Sequence, residues 1–171
     1  MEPKGARVLG PNEGRSGLLG SMGVRFLLAS DETGGGFSLV EHPIPPRALA
    51  APLHRHIRDD EYSFVLKGRL GALLGDEVVY GQHGDLIFKP RGQWHTFWNA
   101  GDEPALILEM ISPAGFERYF EQMVDLLEQS VGAPAPSKLA GIAAQHGLEV
   151  DRDSIPRLTE KYGLRWGPSP D

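Results

Sequence analysis

Hydrophobic and polar positions change their rhythm once along this chain. From residue 24 to 112 the apolar residues fall in short, strand-like runs separated by glycine, proline and acidic turns. These are "VRFLLAS", "FSLVEHPIP", "LHRH", "EYSFVLKG", "RLGALLG", "EVVYG", "DLIFKP", "WHTFWNAG" and "PALILEMIS". Many short strands at close spacing with Gly and Pro between them predict an all-β sandwich or barrel. The "GDE" at Gly75–Glu77 sits where a hairpin turn belongs.

After Ser112 the period becomes helical. Phe116, Tyr119, Phe120, Met123, Leu126 and Leu127 recur on one helix face, with Ser112 as the expected N-cap and Pro113 at the first helical position. "VGAPAP" reads as a linker. "SKLAGIAAQHG" and "DSIPRLTEKYG" read as two short helices stopped by Gly147 and Gly163, the second with Ser154 as its cap. The predicted organisation is an N-terminal arm over 1–23, a β-barrel over 24–112 and a helical C-terminal extension over 113–171 packed on the barrel.

Composition narrows the chemistry. The 171 residues suit one domain with a real core, and 40% hydrophobic content suits a folded one. A net charge of −6 argues against nucleic acid or an anionic membrane as partner, because both need clustered Lys and Arg. With no cysteine, disulfides, thiolate metal sites and cysteine nucleophiles are excluded, and any metal must sit on His, Asp or Glu. The opening "MEPKGARVLGPNEGRSG" has no apolar targeting core, and "LLGSMGVRFLLAS" is broken by Arg25 and two glycines. Neither a signal peptide nor a membrane span is expected, and a cytoplasmic location is.

Six histidines occur in the chain, and two stand one residue apart in "PLHRHIRDDEYSFVLKG". Alternate side chains of a strand share a face, so His54 and His56 point the same way, about 7 Å apart along it. The polar "IRDD" reads as a loop that starts a new strand and returns Glu61 to the inner face, followed there by Ser63 and Val65. Tyr62, Phe64 and Leu66 take the opposite face. Asp59 and Asp60 are alternative carboxylates. Taken alone, this segment also fits two surface histidines on an edge strand beside a solvated glutamate.

"GDLIFKPRGQWHTFWN" alters that balance. A strand runs into a Pro-x-Gly turn, and the next strand carries His95 with Phe97 and Asn99 on its face and Trp94, Thr96 and Trp98 on the other. His54, His56, Glu61 and His95 make three imidazoles and one carboxylate, a complete ligand set for one divalent first-row metal (Fe, Ni, Mn, Co, Cu or Zn) with room for water or substrate. His42, His83 and His146 match no ligand spacing and are read as surface residues. Ser63, Val65 and Phe97 are the expected substrate-pocket residues beside the metal. Arg25 and Glu41 are candidates for the barrel interior.

These two segments resemble the motifs of the cupin superfamily. The first is His54, His56, Glu61 and Gly68; the second is Gly84, Pro90, Gly92, His95 and Asn99. Ala48 stands where the family often has glycine. The flanks "DETGGGFSLVEHPIPP" and "ISPAGFERYF" look like those of small quercetin-dioxygenase-like cupins. The resemblance implies a double-stranded β-helix, a jelly-roll barrel with the metal inside. It leaves open an oxygen-dependent dioxygenase acting on an enolisable aromatic or diketone small molecule, with Glu61 as ligand and general base. The other reading is a non-catalytic, metal-dependent small-molecule binder. The interior reads as apolar (Val65, Phe97, Leu86 or Ile87), with no strong set of interior Arg or Lys. The aromatic outer face of Tyr62, Phe64, Trp94 and Trp98 predicts burial against the tail or in a homodimer.

Overall fold

Alternation in the sequence becomes two antiparallel sheets in the computed structural model, which describes residues 5–168. The strands are β1 (Ser16–Leu19), β2 (Met22–Leu28), β3 (Ser38–Ile44), β4 (Leu53–His56), β5 (Asp60–Lys67), β6 (Arg69–Leu74), β7 (Glu77–Gln82), β8 (Leu86–Lys89), β9 (His95–Asn99), β10 (Ala105–Ser112) and β11 (Leu148–Asp151). The helices are α1 (Glu117–Gln129), α2 (Pro136–Gln145) and α3 (Ser154–Tyr162). One sheet has the order β1-β2-β3-β10-β5-β8 and the other β11-β4-β9-β6-β7. Each of the expected strands is present. Gly75, with φ of 60°, makes the tight β6–β7 turn, where Leu74 pairs with Glu77.

The expected jelly-roll barrel takes the form of two facing sheets rather than one closed ladder. Among the described residues β1 and β8 edge one sheet and β11 and β7 the other, with no ladder joining them. The sheets are held instead by interdigitated side chains from their inner faces, as in a jelly roll. Met22, Ile44, Val65, Leu70, Phe97 and Ile107 belong to that core. The inner face of β3 runs Ile44, His42, Val40, and that of β10 runs Ile107, Glu109, Ile111; all are buried. Polar groups therefore occupy the middle of an otherwise apolar interior.

Both termini contribute to this framework. β1 pairs with β2 from within the segment read as an arm, and α1 packs so closely on β1 that a Cβ at Gly17 would overlap Val124. Phe116, just before α1, and Phe120 and Val124 on it insert against Val24, Val40 and Ile111 and plug one end of the interior. The tail also supplies a strand: β11 pairs with β4, Leu148 opposite His56 and Val150 opposite His54. The strand carrying the two histidines is thus flanked on both sides rather than left at an edge.

Helix α1 begins later than its sequence signals suggest. Ser112 is the last residue of β10, paired with Asp60, and its hydroxyl donates to the Gly36 carbonyl at 2.8 Å instead of capping. The Ser112–Pro113 peptide is cis, and the helix starts at Glu117. The Glu117 carboxylate accepts hydrogen bonds from the Ser30 and Gly115 amides at 2.9 and 2.6 Å, a favourable place for negative charge at a helix N-terminus. Ser154 lies inside α3 rather than before it; its Oγ accepts from the Leu53 amide at 2.9 Å, tying α3 to β4. Gly163 ends α3 in the left-handed conformation, as its sequence predicts.

Trp98 meets the tail, one of the two partners foreseen for it. It is 2% exposed and stacks on Tyr162 of α3 with ring centroids 4.5 Å apart. It therefore does not share an exposed face with Tyr62 and Phe64. That face belongs to the other sheet, where Phe64, Leu86 and Phe88 are exposed and Tyr62 stacks on Phe88 at 4.9 Å. Among the described residues no helix is long and apolar enough to cross a membrane.

Candidate metal centre

Four side chains from three strands converge inside the sandwich. His54 and His56 come from β4, Glu61 from β5 and His95 from β9, and all four are buried. One ligand atom from each lies within 4.8 Å of the others. Donors about 2.0–2.2 Å from a shared ion would lie roughly 3–4 Å apart, so the cluster needs little contraction to hold one. His54 sits directly opposite His95 where β4 meets β9.

Local geometry explains the convergence. The Pro90–Gly92 turn is fastened to the first motif: the Gly92 amide donates to the His56 carbonyl at 2.7 Å. Asp60 accepts from the Arg91 amide at 2.8 Å and from its guanidinium at 2.7 and 3.0 Å. Asp60 is thereby a turn anchor, not a ligand. Gly92 takes a φ of 79°, which a side chain would disfavour. Asp59 lies behind His56, its Oδ2 3.8 Å from Nδ1.

The hydrogen bonds orient the imidazoles. Nδ1 of His54 donates to the Pro52 carbonyl at 2.7 Å, and Nδ1 of His95 to the Gln93 carbonyl at 3.0 Å. A carbonyl only accepts, so each Nδ1 carries the proton and each Nε2 lone pair is free for a metal. Nε2 of His95 lies 3.1 Å from Glu61 Oε2 and Nε2 of His56 lies 3.3 Å from Oε1. His56 Nε2 is buried and makes no hydrogen bond among the described residues. An orphaned buried nitrogen facing a carboxylate oxygen is what a bound cation would satisfy. The residues present fit a divalent metal.

The charge balance points the same way. Burial lowers the pKa of His54 well below its ordinary value, with His95 and His56 adding to the effect. Burial also lowers His95, against the opposing negative charge of Glu61. Neutral imidazoles are the form that binds metal. Burial alone would raise Glu61, but His56, Lys89 and His95 outweigh it and hold the carboxyl well below the usual range.

Lys89 is the residue that the sequence pattern did not reveal. It is 1% exposed on β8, its Nζ 2.9 Å from Glu61 Oε2 and 3.0 Å from Glu109 Oε1. It also lies 4.4 Å above the Phe97 ring. This places one lysine in an interior expected to hold no strong set of Arg or Lys. Burial would lower the ammonium; Glu109 and Glu61 outweigh it and keep Lys89 charged. Glu109 is pushed up to about 7 by burial, with Lys89 opposing and Glu61 adding to the rise. The alternation of "DLIFK" was the available signal: it places Lys89 in phase with the interior Ile87.

Other expectations sort clearly. Ile87, not Leu86, faces inward, and Leu86 is 57% exposed. Ser63 is buried with its hydroxyl donated to Glu109 at 2.9 and 3.1 Å, and Val65 belongs to the core. Phe97 lines the cavity beside the histidines. His42 is not a surface residue: it is 1% exposed, bonded through Nδ1 to the Gly23 carbonyl at 2.9 Å and edge-on to Phe120 at 5.2 Å. β3 has both neighbours paired, so its inward histidine is covered. His146 is half-buried beside Phe116 and Tyr119, while His83 is exposed. Arg25 and Glu41 pair with each other at 2.7 Å in a partly exposed position, away from the interior.

A cavity of about 180 Å³ opens from this cluster. One side is built by His42, His54, His56, Glu61, Phe97 and Glu109, the other by residues of the C-terminal extension, including Phe116, Tyr119, Phe120 and Met123. The Phe116 ring lies edge-on to His56 at 4.2 Å. The cavity thus carries a polar, ligand-rich floor and apolar walls.

Comparison with known proteins agrees with this architecture. Residues 41–111 match the model of the cupin domain. The chain is 28% identical over 89 residues to the tetracenomycin polyketide synthase protein TcmJ of Streptomyces glaucescens, covering 52% of this chain and 60% of that protein. Over 48 residues it is 44% identical to the oxidoreductase iacF of Pestalotiopsis fici, covering 28% of this chain and 24% of that protein. The chain therefore spans less than two thirds of the first relative and about a quarter of the second. Among solved structures, KdgF from Halomonas superposes with a TM-score of 0.59 at 16% identity, covering 67% of this chain and 99% of that one. The nucleoside dehydratase Pac13 of Streptomyces superposes at 0.54 and 13% identity, covering 67% and 88%. These two structures share the fold.

Removing Lys89 tests the buried charge balance. Lys89→Met leaves Glu61 and Glu109 without their ammonium and is expected to cost about 3–5 kcal/mol of stability in the metal-free protein. Adding Glu109→Leu should recover much of that loss. Urea unfolding measures both; a Lys89→Met protein as stable as wild type would contradict the account.

Proposed function

We propose that this chain is a metal-dependent enzyme that binds an enolisable aromatic or β-diketone small molecule and cleaves it with O₂. The observation that carries this reading is the position of His54, His56 and Glu61 at the floor of an apolar, aromatic-walled cavity, with His95 clustered behind them. A divalent metal held by His54, His56, Glu61 and His95 would supply Lewis acidity and, if redox-active, electron transfer to oxygen. The relatives support the substrate and reaction classes: polyketides are assembled from β-dicarbonyl units, and one relative bears the name oxidoreductase.

The protein's own groups handle the proton. Glu61 accepts it from the substrate hydroxyl as the enolate forms. Lys89 then loses one anionic partner and retains Glu109 as the other. A Glu109 carboxyl raised to about 7 can ionise at neutral pH to keep that ammonium partnered. The apolar walls exclude water and favour a flat, conjugated ligand over a polar one.

Glu61→Gln keeps the size of the side chain and loses its basicity. It is expected to retain binding of a flavonol or β-diketone while O₂ uptake falls about 10²-fold or more. An oxygen electrode, with protein loaded separately with Fe(II), Ni(II), Co(II) and Mn(II), measures this against a panel of both compound classes. Calorimetric binding with no O₂ uptake across the panel would replace the enzyme with a non-catalytic binder.

We further propose a homodimer formed through the outer face of β5 and β8. Phe64, Leu86 and Phe88 are exposed there, 38%, 57% and 46%, on a sheet whose edge strand β8 has a free side. A second copy is the occupant favoured, because a two-fold axis can place the same apolar patch and edge on both sides of one interface. Light scattering should give twice the chain mass at micromolar concentration, and Phe88→Glu should reduce it to one. A monomer mass for the wild-type protein would contradict the dimer.

A further inference from the structure

The C-terminal extension lies outside the cupin segment 41–111, yet it builds half of the cavity. The N-cap and one face of α1 present Phe116, Tyr119, Phe120, Met123 and Leu127 to it, residues spaced at helical intervals. Leu148 and Val150 of β11 continue the wall. Nothing in the metal ligation requires this surface. A wall of aromatic and aliphatic side chains facing an interior space is suited to the body of a planar apolar ligand.

Two polar groups interrupt that wall, Tyr119 and Arg152. The Tyr119 hydroxyl has no hydrogen-bond partner, and the Arg152 guanidinium no ion-pair partner, among the described residues. Arg152 is exposed at the cavity rim, and like Arg58, Arg69 and Arg118 it makes no ion pair among the described residues, whereas Arg55, Arg91 and Arg157 are each paired with a carboxylate. Asp151, the acid adjacent to Arg152, is taken by Arg157 at 3.2 Å. The two groups sense each other: burial raises the Tyr119 pKa and the Arg152 charge partly offsets the rise. An unpaired guanidinium beside a free phenol, bordering an apolar cavity, is a receptor for an anion attached to that apolar body.

We propose that Arg152 and the Tyr119 hydroxyl form a specificity subsite for the anionic group of an aromatic ligand, whose body lies against α1 and whose other end faces the metal cluster. The orientation of the ligand rests on the proposed function; the anion site itself does not. The substrate class is accordingly an aromatic enol or β-dicarbonyl that also carries a carboxylate or similar acid away from the reacting end. An uncharged analogue of the same shape binds more weakly. The extension selects the substrate, while the cupin segment supplies the ligands.

Two probes separate anion recognition from metal chemistry: 8-anilinonaphthalene-1-sulfonate and its uncharged counterpart N-phenyl-1-naphthylamine. Fluorescence titration of the full chain, metal-loaded and again after chelation, reads both. The sulfonate should bind once per chain and more tightly than the neutral probe. Arg152→Gln should weaken the sulfonate about tenfold and leave the neutral probe within about twofold, with Arg152→Lys intermediate. Met123→Trp, which fills the cavity, should remove both probes. A sulfonate affinity indifferent to Arg152→Gln, an equal loss for both probes, or no sulfonate binding overturns the subsite. Arg152-dependent sulfonate binding with a silent oxygen electrode would uphold the subsite and sink the dioxygenase. Diketone turnover with sulfonate binding blind to Arg152 would do the reverse.

Discussion

Burying the Glu61 carboxylate is the constraint on which the rest of the interior depends. A lone buried carboxylate is costly enough that it would take up a proton or unfold its surroundings. Here Lys89 stands 2.9 Å away on the neighbouring strand, and three imidazoles surround the other side. The pairing of β5 with β8 places Lys89 beside Glu61, and the pairing of β5 with β10 places Glu109 beside Ser63. The β4–β9 contact then delivers the histidines. Each strand register is tied to one member of the charge cluster, so a one-residue slip would turn that member out of the interior.

The extension completes what the two sheets leave open. Without β11, the strand that carries His54 and His56 would be an edge exposed to solvent. Without α1, the apolar end of the interior and the rings beside His56 would face water. α3 covers the opposite face through Trp98 and Tyr162. The same residues that protect the cluster therefore shape the space in front of it.

Much of this was legible in the sequence because it depends on local spacing. Alternation located the strands of the sheets, and the two histidine motifs brought together the four residues that the structure clusters. What escaped depends on contacts distant in sequence. Lys89 drew no reading because its two carboxylate partners lie 28 residues before it and 20 after it. His42 looked like a surface residue because its burial comes from β2, β10 and α1. "LEVD" was not read as a strand because its partner strand lies nearly a hundred residues earlier. Ser112 resembled a cap until its pairing with Asp60 was seen.

The central claim is that His54, His56, Glu61 and His95 hold one divalent metal. Elemental analysis of tag-free protein, combined with X-ray absorption at the edge of whichever metal is found, tests it most directly. The account predicts close to one transition-metal ion per chain, with nitrogen and oxygen neighbours at about 2.0–2.2 Å, and loss of that ion in the His56→Ala/His95→Ala double variant. A double variant retaining wild-type metal content, or a wild-type chain that takes up no metal when loaded, would contradict it.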